Sequence, residues 1–213
     1  MGLDMSIIHK SKPHEIKPGR RAQIPNMMYR EYYDKEGSVI GREYTDNNGA
    51  INIDKKFRKE LTKKKPASYI DVSEVAYWRK ANAIHKWFVD NVQDGDDNCG
   101  TYLLTKKNIE ELSSKVNYLL DNIVLKKGKV VNGYRMKKNI FGKLKEKPNM
   151  VKGMVIKNID ICEKTLPLCD GFFFGYKQYN EYYYDDLKYT KEVLDKLLEC
   201  DIDKESYYYT SSW

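Results

Sequence analysis

DVSEVAYWRKANAIHKWFVDNVQDGDDNC, residues 71–99, is the stretch on whose reading the fold turns. Asp71 is a helix-capping residue type and Glu74 follows three positions on, so the pattern predicts a helix running to about Val92. At about 100° per residue, Tyr77, Trp78, Ala81, Ile84, Phe88, Val89 and Val92 fall on one arc of roughly half the circumference. Arg79, Lys86 and Asp90 fall opposite. His85 and Asn82 lie inside the apolar arc, and Gln93 to Gly100 reads as an acidic loop.

Elsewhere the periodicity is mixed. SVIGREYT (38–45) and AINI (50–53) flank Asp46-Asn47-Asn48-Gly49, a hairpin turn by composition. Thr105 caps a second helix with Ile109, Leu112, Val116, Leu119, Leu120 and Ile123 on one stripe and Gly128 as its stop. VVNGYRM forms a hairpin about Asn132-Gly133, followed by a short basic helix. GFFFG (171–175) reads as a buried strand, NEYYYDDLKYTKEVLDKLLE as a third helix, and YYYTSSW as a closing strand. These elements define an α+β protein: a compact core of about three helices packed on a small, mostly antiparallel sheet, with a basic insertion. A single domain is expected, with residues 1–70 β-rich, 71–125 helical, 126–153 the basic insertion and 154–213 strand-helix-strand.

The 213 residues are 41% hydrophobic and 32% charged, and no apolar run is long enough to span a bilayer, so no membrane partner is expected. Net charge is +7, but its distribution is uneven. Residues 126–152 hold ten bases and one acid, residues 55–65 seven bases and one acid, and residues 176–213 nine acids and five bases. Such polarity marks a polyanion-binding face. Lys126, Lys127, Lys129, Arg135, Lys137, Lys138, Lys143, Lys145 and Lys147, with Lys55, Lys56, Arg58 and Lys59, supply phosphate-neutralising charge. Tyr134 and Phe141 are interleaved as rings for stacking on exposed bases.

Catalytic candidates are fewer. A neutral imidazole on a buried stripe can act as a general base, so His85 with Asp90 and Cys99 makes a possible hydrolytic or nucleotide-processing centre. The same imidazole is equally satisfied in a core if both nitrogens find partners, for example a backbone carbonyl and Asn82. Cys99 lies fourteen residues beyond His85, so the loop must fold back to join them. Asp94, Asp96 and Asn98 resemble the start of a calcium loop, but the glycine and closing glutamate are out of place. Cys99, Cys162, Cys169 and Cys200 contain no C-x-x-C pair, so reduced thiols are expected, with no metal and no cofactor.

Three blocks, MGLDM (1–5), EVAYWRKANAIHKWFVDNVQDGDDNCGTY (74–102) and LPLCDGFFFGYKQYNEYYYDDLKYTKEVL (166–194), resemble a family of small uncharacterised proteins encoded by tailed phages and prophages of Gram-positive bacteria. The resemblance implies a phage accessory protein acting in the cytoplasm of the bacterial host. It carries over no reaction. The basic stretch 126–152 departs from the family's shorter connection. Together these readings predict a nucleic-acid-binding protein, RNA ahead of DNA, that inhibits host defence by binding rather than catalysis. Its target would be RNA or a nucleoprotein complex such as a CRISPR effector, making it an anti-CRISPR. The alternatives are the enzyme centred on His85, Asp90 and Cys99, or a sponge for signalling nucleotides. Oligomeric state is left open.

Overall fold

A computed structural model describes residues 2–15, 27–45, 59, 63–138, 143–171, 174, 178–202 and 204–213. Its architecture is decided by Ser68–Arg79, which is strand β5 and not the first half of a helix. The capping signal at Asp71 and Glu74 is overridden by tertiary pairing. β1 (Asp4–Lys10) and β3 (Met27–Tyr33) bond antiparallel to its two edges, a setting that suits Ile70, Val72, Tyr77 and Trp78. Asp71 caps nothing. It forms a buried ion pair with Arg30 of β3, Nε to Oδ1 at 2.5 Å and Nη2 to Oδ2 at 3.0 Å, and the guanidinium lies 3.9 Å from the Tyr69 ring centroid. The boundary between β-rich and helical parts therefore falls near Ala81 rather than at residue 71.

The strand ends where Lys80 takes a left-handed conformation (φ 63°) and donates its N–H to the Leu3 carbonyl at 2.8 Å. Helix α1 (Asn82–Val92) starts immediately afterwards. Around β5 the described strands form a seven-stranded sheet, every pairing antiparallel. β4 (Val39–Tyr44) flanks β3, β9 (Ser206–Ser212) lies beside β1, and β6 (Thr101–Leu103) closes the far edge. The two-residue β2 (His14–Glu15) continues the β1 edge along β5. The β3–β4 turn is Asp34 to Ser38, with Gly37 at φ 82°. The expected turn at residues 46–49 and the strand at 50–53 lie outside the described residues.

Helices α2 (Lys106–Asn122), α3 (Ile159–Thr165) and α4 (Glu181–Glu199) join α1 in the layer that covers Met5, Ile7, Ala76, Trp78, Tyr207 and Tyr209 of the sheet. Thr105 caps α2 in a reciprocal capping box with Asn108, and Ile109, Leu112, Val116 and Leu119 are buried as the stripe predicts. Each such side chain contributes roughly 1.5–3 kcal/mol of transfer free energy. The helix stops at Asn122, before Gly128, because Leu125–Lys138 is strand β7, paired with β8 (Leu144–Ile156) in a separate two-stranded ribbon. Trp78 donates its indole N–H to Thr190 Oγ1 of α4 at 3.0 Å, fastening sheet to helix layer. The fold is α+β, with four helices traced in full among the described residues and a larger sheet than the sequence predicts. No helix among the described residues is long and apolar enough to cross a membrane.

GFFFG is not a strand at its described positions. Phe174 donates its N–H to the Gly171 carbonyl at 3.4 Å, a turn that lets the Phe174 ring reach the core.

Replacing Asp71 with Ala leaves the Arg30 charge buried without its partner. The expected loss is roughly 3–5 kcal/mol in a urea unfolding series, most of it recovered when Arg30→Met is added to Asp71→Leu.

Candidate functional site

The acidic loop after α1 does fold back, but it brings Asp97 to His85 rather than Cys99. His85 is buried, with Nε2 2.9 Å from Asp97 Oδ2 and Nδ1 2.7 Å from the Tyr209 hydroxyl. A carboxylate only accepts, so Nε2 carries a hydrogen, and a neutral ring then accepts the tyrosine O–H at Nδ1. Burial holds the Tyr209 phenol well above its ordinary pKa, so it stays a donor. Asp97 is fixed in turn by Trp213 Nε1 at 3.0 Å, and Phe174 packs edge-on to the imidazole at 5.0 Å. Both nitrogens are thus spent on strand β9 and the loop. Neither a backbone carbonyl nor Asn82 serves; the Asn82 amide instead donates to the Phe174 carbonyl at 3.1 Å.

The proposed catalytic partners are not brought together. Asp90 lies on the outer side of α1, held by Lys86 at 2.8 Å, and Cys99 is exposed in a left-handed turn (φ 56°). Cys162 and Cys169 are more enclosed, and burial pushes each thiol up to about 11, which keeps them protonated and unreactive. Among the described residues no group of three acid, histidine or cysteine side chains is placed to hold a metal ion.

The basic stretch forms the β7–β8 ribbon, about 45 Å long at a rise of roughly 3.3 Å per residue. Its root is built into the core: Val130 and Ile156 are buried, Met154 donates its N–H to Glu181 Oε2 at 2.8 Å, and Val131 donates to Gln178 Oε1 at 3.2 Å. Asn132-Gly133 is not the hairpin turn. It is a bulge, with Gly133 at φ 82°, after which pairing continues from Tyr134↔Pro148 to Lys138↔Leu144. Among the described residues no basic helix follows, since Leu144–Ile156 is strand.

Beyond the bulge the ribbon is exposed on both faces. Arg135 stands opposite Lys147 and Lys137 opposite Lys145. With side chains alternating along each strand, these four bases share one face. Tyr134, Met136 and Leu144 share the other, and all three are more than half exposed. Lys126, Lys127, Lys129, Lys138 and Lys143 are exposed along the same ribbon, and Lys129 faces Lys152. Phe141 lies outside the described residues, as do Lys55, Lys56 and Arg58. Lys59 is described and exposed, but nothing places it beside the ribbon.

One feature was missed at the sequence level. A cavity of about 340 Å³ lies where two helices begin, with Arg79, Lys80 and Asn82 from the start of α1 and Asn180, Tyr182 and Asp186 from the start of α4. Asn180 accepts the Tyr182 N–H at 3.0 Å through Oδ1 and so caps α4. α1 has Ala81 at its cap position, no side-chain cap and no acid in its first turn. Burial raises the Asp186 carboxyl to about 7, with the charge of Asp185 adding to the shift. A signal was present: Arg79-Lys80-Ala81 supplies two cations and no capping side chain immediately before an apolar helix.

No protein-family model, curated protein or solved structure matches this chain.

His85→Ala removes both hydrogen bonds, so the Tyr209 hydroxyl and Asp97 Oδ2 lose their imidazole partner while Trp213 still holds Asp97 Oδ1. It is expected to lower stability by about 3 kcal/mol, while Tyr209→Phe costs about 1–2 kcal/mol, both read by chemical denaturation. Because the Asp186 carboxyl titrates higher in the folded protein than when unfolded, the folded state holds the extra proton between the two values. Stability therefore falls as pH rises from about 4 to about 7, and Asp186→Asn flattens that part of the stability–pH curve.

Proposed function

We propose that this chain is a nucleic-acid-binding protein that grips a polyanion with the cationic face of its β7–β8 ribbon. The observation that carries the reading is the facing of like charges, Arg135 to Lys147 and Lys137 to Lys145, on an exposed two-stranded ribbon. Like charges directly opposite on a ribbon are destabilising. A row of phosphates laid on that face neutralises both pairs and releases its counterions, which turns the repulsion into binding free energy. Tyr134, 54% exposed on the opposite face of the ribbon, is a platform for an unpaired base of a strand that wraps around the ribbon. That favours single-stranded RNA over duplex, whose bases are already stacked. Duplex DNA, with the ribbon seated in its major groove, is the competing form of the same reading.

The buried and doubly bonded His85 supports binding rather than hydrolysis as the mode of action. With the resemblance of residues 1–5, 74–102 and 166–194 to phage and prophage proteins, the reading extends to an accessory protein in the cytoplasm of an infected bacterium. There it inhibits host defence by occupying RNA or a nucleic-acid-bearing complex such as a CRISPR effector.

The test is fluorescence anisotropy with a labelled single-stranded RNA, the same sequence as DNA, and a DNA duplex. RNA affinity is expected to fall steeply with salt. The variant Arg135→Glu/Lys137→Glu/Lys145→Glu/Lys147→Glu should reduce the log–log salt slope by about 3 while leaving the melting temperature within a few degrees. Protein that purifies free of nucleic acid and binds none of the three probes at low salt would falsify the reading.

A further inference from the structure

We infer that the cavity between the starts of α1 and α4 is a binding site for a nucleoside monophosphate group, with the phosphate held at the α1 end. Four observations converge on it. The first turn of α1 presents backbone N–H groups with no side-chain cap and no acidic residue, so the positive end of the helix is unscreened. Arg79 and Lys80 stand directly before that turn and line the same cavity. Arg79 reaches Asp4 at only 3.9 Å, and Lys80 makes no ion pair among the described residues. Two cations and a helix N-terminus match a dianionic phosphate better than a single carboxylate.

The second observation is independent of the helix end. Asn180 is 98% buried, and its Nδ2 has no hydrogen-bond acceptor among the described residues. The amide cannot be turned over to remedy this, because Oδ1 already accepts the N–H groups of Tyr182 and Tyr183. A buried donor without an acceptor costs about 1–3 kcal/mol, and it lines this cavity. A ligand that supplies an acceptor there relieves the cost.

Third, the lining contributed by α4 carries the groups a nucleobase needs. Tyr182 is 43% exposed and offers a ring face, and the Asp186 carboxyl can donate as well as accept while it holds its proton. Asp185, the other acid present, is engaged by Lys188 at 2.6 Å. Fourth, the volume of about 340 Å³ falls in the range of about 300–1,000 Å³ typical of small-molecule sites.

Asn132, in the bulge of the ribbon, lines the same cavity. The nucleoside monophosphate can therefore come from two sources: a free mononucleotide, or the 5′-phosphorylated end of a strand lying on the ribbon. The inference about the cavity does not require the ribbon reading, since the cavity residues and the four ribbon bases are different side chains.

Isothermal titration calorimetry tests it with AMP, GMP, CMP, UMP, inorganic phosphate, and a ten-nucleotide RNA with either a 5′-phosphate or a 5′-hydroxyl. Two variants are built to keep the fold. Asn180→Asp retains the Oδ1 cap of α4 and replaces the unused donor with an acceptor. Arg79→Gln/Lys80→Gly removes both cations, and glycine accepts the positive φ at position 80. At least one mononucleotide is expected to bind more tightly than inorganic phosphate, with affinity reduced at least tenfold in each variant and ligand-free melting temperatures unchanged. Preference for the 5′-phosphorylated RNA over the mononucleotides assigns the strand end as the source, and the reverse order assigns the free nucleotide. Binding of mononucleotides that persists in the ribbon variant, while RNA binding is lost, separates this site from the ribbon. The inference is overturned if no mononucleotide or phosphorylated RNA binds at millimolar concentration, if phosphate alone binds as well as the nucleotides, or if neither variant weakens binding.

Discussion

The hydrogen bond between His85 Nδ1 and the Tyr209 hydroxyl joins helix α1 to strand β9, and the arrangement around it follows from that tie. One helical turn beyond His85, Phe88 stacks on the Tyr209 ring with centroids 4.0 Å apart and planes inclined by 13°. Strand β9 is thereby held against α1 while its backbone pairs with β1 on one side and β6 on the other. Asp97 then binds the remaining imidazole nitrogen and recruits Trp213, so the loop after α1 is anchored to the strand's end. A buried imidazole is stable when both ring nitrogens have partners, which is the condition met here. It also explains why a histidine that looks reactive on a helical wheel has no nitrogen left for a substrate.

The candidate binding features are segregated from that core. The ribbon root shares the core through Val130 and Ile156, whereas in its outer half the facing bases stand exposed, with like charges opposite one another. Gly153 lets the two parts meet, since a Cβ there would sit 2.7 Å from both Val130 Cγ2 and Glu181 Oε1. Rigid attachment at the root and exposure at the tip let the ribbon present charge without disturbing the helix layer. The cavity at the helix starts lies beside the ribbon bulge, so both candidate binding features occupy one region of the molecule.

How much of this was legible in the sequence depended on how local each signal is. Helix α2 was readable because its cap and stripe lie within one segment. Helix α4 and strand β9 were readable for the same reason, and so was the concentration of bases in residues 126–152. The first half of the quoted stretch was not. Asp71 and Glu74 mimic a capping box, but Arg30, forty-one residues upstream, claims Asp71, and strands β1 and β3 claim the backbone. Asn132-Gly133 was read as a turn because its dihedral preference is the same in a turn and in a bulge. Only the pairing of Lys138 with Leu144 distinguishes them. His85 was rightly placed in the apolar arc, yet its partners stand 12 and 124 residues away and no periodicity points to them. The cavity was invisible for a related reason: it needs the beginnings of two helices that lie about a hundred residues apart in the chain.

The pairing of β1 with β9 sets an order of events during synthesis. Asp4 to Lys10 bonds Ser206 to Ser212, so the chain's first strand waits about 200 residues for one of its two neighbours. Its other neighbour, β5, is available much sooner and can hold it in place with β3. Tyr209 arrives with β9, and until then Phe88 and His85 have no ring to stack on and no hydroxyl to bind. The growing polypeptide must therefore carry an open apolar edge until Ser206–Ser212 has been made, which makes the nascent form slow to close and prone to association with its neighbours on a polysome.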